Sequence, residues 1–287
     1  MKMRKRAKLS FVLSLCLLFV FTCAAIPAEG AGKLQEVLAR GKLIVGTGST
    51  NVPWHLKNNQ GEYEGMDIEM GKILAIGLFG DETKVEFVEQ AADQRIPNLL
   101  ADKVDICLQF MTITPARAQQ IAFTVPYYTE GIGLILSAKS QYKKYDDLAD
   151  AVKAGKTVTV AILQNADAAQ NVQTLLPGGK DDQYESQGLV YQAVTSGRAD
   201  AGAVDLSSIK WLASKQPELY TDSGYSAVPQ LYGGGVKPDE LEWLNYVNTV
   251  FIDCMAGYTY DLYNTAFEKW FGEKLSPPPT GKPLMYR

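Results

Sequence analysis

The stretch QFMTITPARAQQIAFTVPYY, residues 109–128, sets the reading of this chain. It follows an apolar run, VDICLQF (104–110), that reads as a strand, and its Thr-x-Thr-Pro turn opens a helix. Thr114 is placed to cap that helix and Pro115 to occupy its first position, an ordinary helix start. Arg117 is not explained by capping. A cation near a helix N-terminus opposes the backbone dipole, and a bound anion would repair the mismatch. The arginine fork can grip a carboxylate with two parallel bonds. The Thr112 hydroxyl and the free N–H groups of the turn would be further donors. A solvated side chain is the other reading, and the residues alone leave both open.

Upstream, KLIVGTG (42–48) and VEFVEQ (85–90) also read as strands, with helical patterns over DIEMGKILAIGLF (67–79) and DQRIPNLLADK (93–103). Strands separated by helices of this length indicate βαβ units and a mostly parallel sheet. Downstream a second set follows. KTVTVAIL (156–163) and ADAGAV (199–204) are strands, 167–175, 187–198 and 207–214 are helical, and PGGKDD (177–182) is a turn. From 240 to 271 Leu241, Leu244, Val247, Val250 and Phe251 recur at helical spacing, and the proline-rich tail reads as a strap or a loose end. The expectation is two α/β lobes, with a ligand reached from loops at the carboxyl ends of the strands.

Asp205 closes ADAGAV directly before LSSIKW. It reads either as a helix cap or as a carboxylate facing a cationic ligand group. With Arg117 it would match the two charges of a free amino acid, one from each lobe, provided the site is desolvated. Trp54, in TNVPWHLKN, reads as an aromatic wall or as core. Gly46-Thr47-Gly48 makes only a weak phosphate loop, since a third glycine and a following helix are missing. His55 is the single histidine and reads as a surface residue beside LKNN. With no triad partners and no second soft ligand, it supports neither nucleophilic catalysis nor zinc.

The first ten residues, MKMRKRAKLS, followed by FVLSLCLLFVFTCAA, have the layout of a secretory signal, with cleavage expected after Ala28. A lipid anchor on Cys23 fits less well. Residues 1–28 carry five basic side chains and no acid, so the rest of the chain holds 23 basic against 32 acidic residues, a net of −9. That balance argues against nucleic acid or an anionic membrane as partner. Cys107 and Cys254 are too far apart in sequence to make a disulfide scaffold. They read as buried thiols, with a single long-range bridge in an oxidising compartment as the other reading.

These residues carry a resemblance. The span from Gly41 through PYYTEG, with GEYEGMD (61–67) in place of a G-x-Y-x-G-F-D motif, MTITPAR, F-x-x-PYY, TSGRADAGAVD and YNTAFEKWFG, resembles the periplasmic amino-acid-binding proteins of ABC importers, solute-binding family 3. The resemblance implies a two-lobe periplasmic binding protein fold of type II. Lobe one would take 29–134 and 230–287, lobe two 135–229, with crossings near 132–137 and 228–234. It implies that Arg117, helped by Thr112, holds a ligand α-carboxylate and that Asp205 holds the α-amino group. Trp54 would lie near the ligand, and Gln109 and Phe110 would line the pocket.

Two departures from the family pattern matter. AILQNADAAQ (161–170) lacks the usual Gly-Thr/Ser-Thr turn, leaving Asn165 as the substitute. Gly48 stands where several binders of basic amino acids have an aspartate. Arg95 either faces solvent, the preferred reading, or meets an acidic ligand side chain. The implied protein is a periplasmic monomer that takes a polar or neutral, or else acidic, amino acid to an importer permease, with no catalysis, cofactor or metal. The rivals are a cyclohexadienyl-dehydratase-like enzyme, for which Glu89 and Asp93 are the acids to test, and a sensory module.

Overall fold

The computed structural model describes residues 32–281. The export signal and the Cys23 anchor lie outside the described residues. The first part of the chain runs α1 (Lys33–Arg40), β1 (Leu43–Thr47), β2 (Thr50–Asn51), β3 (His55–Lys57), β4 (Tyr63–Glu64), α2 (Met66–Phe79), β5 (Val85–Glu89), α3 (Arg95–Leu100), β6 (Ile106–Cys107), α4 (Pro115–Ala118) and β7 (Ala122–Phe123). It continues with β8 (Tyr128–Ser137), α5 (Tyr145–Lys153), β9 (Thr159–Leu163), α6 (Ala168–Leu175), β10 (Lys180–Tyr184), α7 (Gln187–Thr195), β11 (Ala201–Asp205), α8 (Leu206–Lys215), β12 (Tyr220–Tyr232), β13 (Gly235–Val236), α9 (Leu241–Ala256) and α10 (Tyr260–Phe271).

Two five-stranded sheets organise these elements, in the orders β5-β1-β6-β13-β7 and β10-β9-β11-β8-β12. In the first, β1 lies parallel to β5 and β6, and β13 runs antiparallel to β6 and β7. In the second, β9 lies parallel to β10 and β11, while β8 runs antiparallel to β11 and β12. The central strands of the second sheet are buried on both faces, their successive side chains pointing to opposite sides. Leu134, Leu136, Val160 and Ile162 face one cluster with Leu148 of α5 and Val172 of α6. Ile135 and Ala161 face the other, with Val190 of α7 and Ile209 of α8. The first sheet packs Val45 and Ile106 on Met70, Trp243 and Phe251, and its other face on Leu99 of α3.

The chain passes between sheets at residues 124–127 and 233–234. Residues 132–137, expected as a crossing, are instead the paired interior of β8. PGGKDD is a turn only in part, since Lys180–Tyr184 is an edge strand beside β9. The pattern over 240–271 is two helices, broken at Gly257. Part of the tail is pinned, with the Leu275 N–H donating to Asn264 Oδ1 at 2.9 Å. Cys107 and Cys254 are buried and unbridged. Among the described residues, no helix is long and apolar enough to cross a membrane.

Candidate functional site

A cavity of about 450 Å³ opens between the two sheets, a volume suited to a small ligand. Arg95, Phe110, Thr112, Thr114 and Arg117 line it from the first lobe, and Asn165, Asp167, Gln187, Asp205 and Gln230 from the second sheet and its helices. Of the residues singled out from sequence, Arg117, Asp205, Thr112, Phe110 and Asn165 therefore share one cavity. Gln109 lines a neighbouring cavity beside Gly48 and His55. Trp54 lines neither; it is fully buried, packed against Tyr128 and Tyr232 with ring centroids 4.7 and 5.1 Å away. Its indole N–H donates to Ser207 Oγ at 2.9 Å.

Thr114 caps α4 by accepting from the Arg117 N–H at 3.3 Å, with Pro115 in the first turn. The Arg117 guanidinium donates to the Thr112 carbonyl at 2.9 Å. Its Nη2 lies 3.3 Å from Asp167, an exposed carboxylate of the second lobe. Thr112 Oγ1 donates to Gln230 Oε1 at 2.9 Å. Asn165 closes its own turn: its amide donates to the Leu163 carbonyl and its oxygen accepts from the Asp167 N–H.

Asp205 makes no cap bond to α8. Its carboxylate accepts from the Tyr232 hydroxyl at 2.5 Å and from Asn51 Nδ2 at 3.0 Å. Burial raises its pKa, and those two donors oppose the rise. Asn51, which the sequence did not mark, is fully buried and bridges the lobes. Its oxygen accepts from Tyr191 at 2.8 Å and Ser208 at 3.0 Å.

His55 is buried, not a surface residue. Its Nδ1 lies 2.9 Å from Asp67 Oδ2 and its ring stacks on Phe110 at 4.8 Å. A Cβ added at Gly48 would meet His55 Cδ2 at 2.6 Å and the Gln109 amide at 3.0 Å, so an acid there has no room. Arg95 is also buried rather than solvated, at 4% exposure. The acids considered for catalysis lie elsewhere. Glu89 is exposed and paired with Lys57 at 2.6 Å, and Asp93 is exposed in the turn before α3. Among the described residues no group of three His, Cys, Asp or Glu could hold a metal.

Glu130, on β8, was also unmarked. Its carboxylate accepts from Ser207 Oγ at 2.5 Å and from the Ser207 and Gly131 N–H groups. Burial, then the neighbouring Asp205 charge, push its carboxyl up to about 7. A raised folded pKa means stability that is complete below the ordinary carboxyl range and is lost as pH rises through about 7. Melting temperature should therefore fall between about pH 5 and pH 8, and fall less in Glu130→Gln, which cannot ionise. A gap between the two proteins that does not widen across that window would exclude Glu130 as the source.

Two sheets joined by two crossings, with a polar cavity between them, define a two-lobe ligand-binding protein. The sequence profile of the bacterial extracellular solute-binding proteins, family 3, matches residues 43–273, and the chain belongs to that family. It is 32% identical over 211 residues to the glutamine-binding protein of Geobacillus stearothermophilus, covering 72% of this chain and 77% of that one. It is 30% identical over 259 residues to the histidine-binding periplasmic protein of Escherichia coli (strain K12), covering 87% and 93%. Among solved structures, an ancestral amino-acid-binding protein, described as a precursor of cyclohexadienyl dehydratase, superposes with a TM-score of 0.70. It is 31% identical, covering 84% of this chain and all of that one. Each of these relatives is named as a binding protein, and the family works outside the cytoplasm.

Proposed function

We propose that this protein captures a polar α-amino acid between its lobes and delivers it, as a monomer, to the permease of an ABC importer. The observation that carries the reading is that Arg117 from one lobe and Asp205 from the other line a single cavity. The ligand carboxylate takes the Arg117 fork, displacing the exposed Asp167, and the ammonium group adds a third partner to the Asp205 carboxylate. The relatives named for glutamine and histidine support an amino acid as the ligand class. Contacts from both lobes favour the closed form, so binding shifts the opening equilibrium.

A thermal-shift screen tests this, on protein unfolded and refolded to strip carried-over ligand, against the common amino acids, opines and polyamines. A ligand at about 100 times its Kd adds about 2.7 kcal/mol of apparent stability. The expected result is a rise in melting temperature with one chemical class of amino acid, absent in Arg117→Ala. A well-folded protein that responds to no α-amino acid would end the proposal.

A further inference from the structure

The unusual wall of this cavity is Arg95. It opens the short helix α3, is 4% exposed, and still lines the cavity. Its Nε donates to the Ala92 carbonyl at 2.6 Å and its Nη1 to the Gln109 carbonyl at 3.2 Å. The Phe110 ring lies below the guanidinium at 5.5 Å. Among the described residues Nη2 has no acceptor, and no carboxylate forms an ion pair with Arg95, whereas Arg117 pairs with Asp167. Burial, and then the nearby charge of Arg117, push the Arg95 guanidinium down to about 10, so it remains a cation at neutral pH.

A buried charge without a counter-charge is costly, and carbonyl dipoles compensate it only in part. A second donor points the same way. Gln187 is 5% exposed, lines the same cavity, and its Nε2 has no acceptor among the described residues. The carboxylates of the cavity wall are occupied elsewhere, Asp205 by Tyr232 and Asn51, and Asp167 by Arg117. On the adjoining wall His55 and Gln109 fill the space over Gly48, so an acid has no room at that position, and Glu89 of the neighbouring cavity is already paired with Lys57.

We propose that the ligand carries a second carboxylate, held by Arg95, so that the cleft selects acidic amino acids over their amides. This rests on the capture reading above and adds the side-chain class to it. An amide would offer its carbonyl to one guanidinium N–H but leave the charge unpaired, whereas a carboxylate supplies both acceptors and the counter-charge.

Isothermal titration of the refolded protein with L-aspartate, L-glutamate, L-asparagine, L-glutamine and succinate tests the assignment. The wild type should bind at least one acidic amino acid about 100-fold more tightly than its amide. Arg95→Met should erase that ratio while still binding an amide. Arg95→Lys keeps the charge without the fork and should retain the sign of the ratio at reduced size; circular dichroism melts establish that both variants fold. An amide bound as tightly as its acid by the wild type, or a ratio unchanged in Arg95→Met, overturns the proposal. If that amide binding is lost in Arg117→Ala, amino-acid capture survives and only the second carboxylate falls. Succinate binding with the same dependence on Arg95, and no amino-acid binding, keeps the second carboxylate and ends amino-acid capture. No binding by any of the five overturns the second carboxylate, while amino-acid capture stands or falls on the wider thermal-shift screen.

Discussion

Replacing Asp67 by alanine is expected to destabilise the protein by roughly 3–5 kcal/mol, measured as the change in urea-unfolding free energy. Asp67 is fully buried at the start of α2. Its two oxygens meet three groups from three parts of the chain: the Tyr127 hydroxyl at 2.7 Å, the Phe110 N–H at 2.9 Å and His55 Nδ1 at 2.9 Å. Alanine leaves all three buried without an acceptor, and no nearby side chain replaces one. The damage also reaches the ligand cavity, because Phe110 has a φ of 38° and its N–H bond to Asp67 helps hold that turn. A cost below about 1 kcal/mol would mean the pocket rehydrates or repacks, and that this carboxylate is not the hub its geometry makes it.

Two residues earlier, Gly65→Ala should be comparably severe. Gly65 has φ 126° and ψ 171°, a region open essentially to glycine alone. A Cβ there would fall on the Trp54 carbonyl and lie 2.8 Å from the His55 nitrogen. These are backbone atoms, held by the Met66 N–H on Pro53 and the Asp67 N–H on Trp54, so no flexible side chain can give way. A loss of about 4 kcal/mol or failure to fold is expected. Gly61 is the control. Its φ of 82° is also left-handed, but nothing lies within 4 Å of an added Cβ, so Gly61→Ala should cost only about 1 kcal/mol. Thermal melts of the two variants should differ clearly, and equal shifts would show that the Trp54 contact is not what demands glycine at position 65.

Where a signal was local, the sequence disclosed it. The strands β1, β5 and β9 follow from apolar runs between helical patterns, and the cap of α4 from Thr114 and Pro115. The second glycine of GEYEGMD is required by a contact that the motif alone does not reveal. The first three residues of strand β10, KDD of KDDQY, read as part of the PGGKDD turn because charges that protect a sheet edge also resemble loop composition. The long strands β8 and β12 were not read as strands at all, since their pairing joins segments about ninety residues apart. The burial of His55 depends on Asp67, twelve positions away, and that of Arg95 on carbonyls and a ring from neighbouring elements. Nothing beside either residue announces those partners. Asn51, in STNV, looks like an ordinary turn residue until the second sheet is brought against it.

That asparagine also bears on timing and economy. Its amide joins the lobes through protein groups alone, to Asp205, Tyr191 and Ser208, so part of the closing free energy is present whether or not a solute is held. Each 1.4 kcal/mol of it multiplies the idle closed population about tenfold and tightens apparent affinity while the open form predominates. To a membrane partner that reads the closed shape, the same bonds set the background against which a loaded protein must be noticed. Sensitivity to scarce solute and quietness in its absence are thus set against each other at one buried side chain.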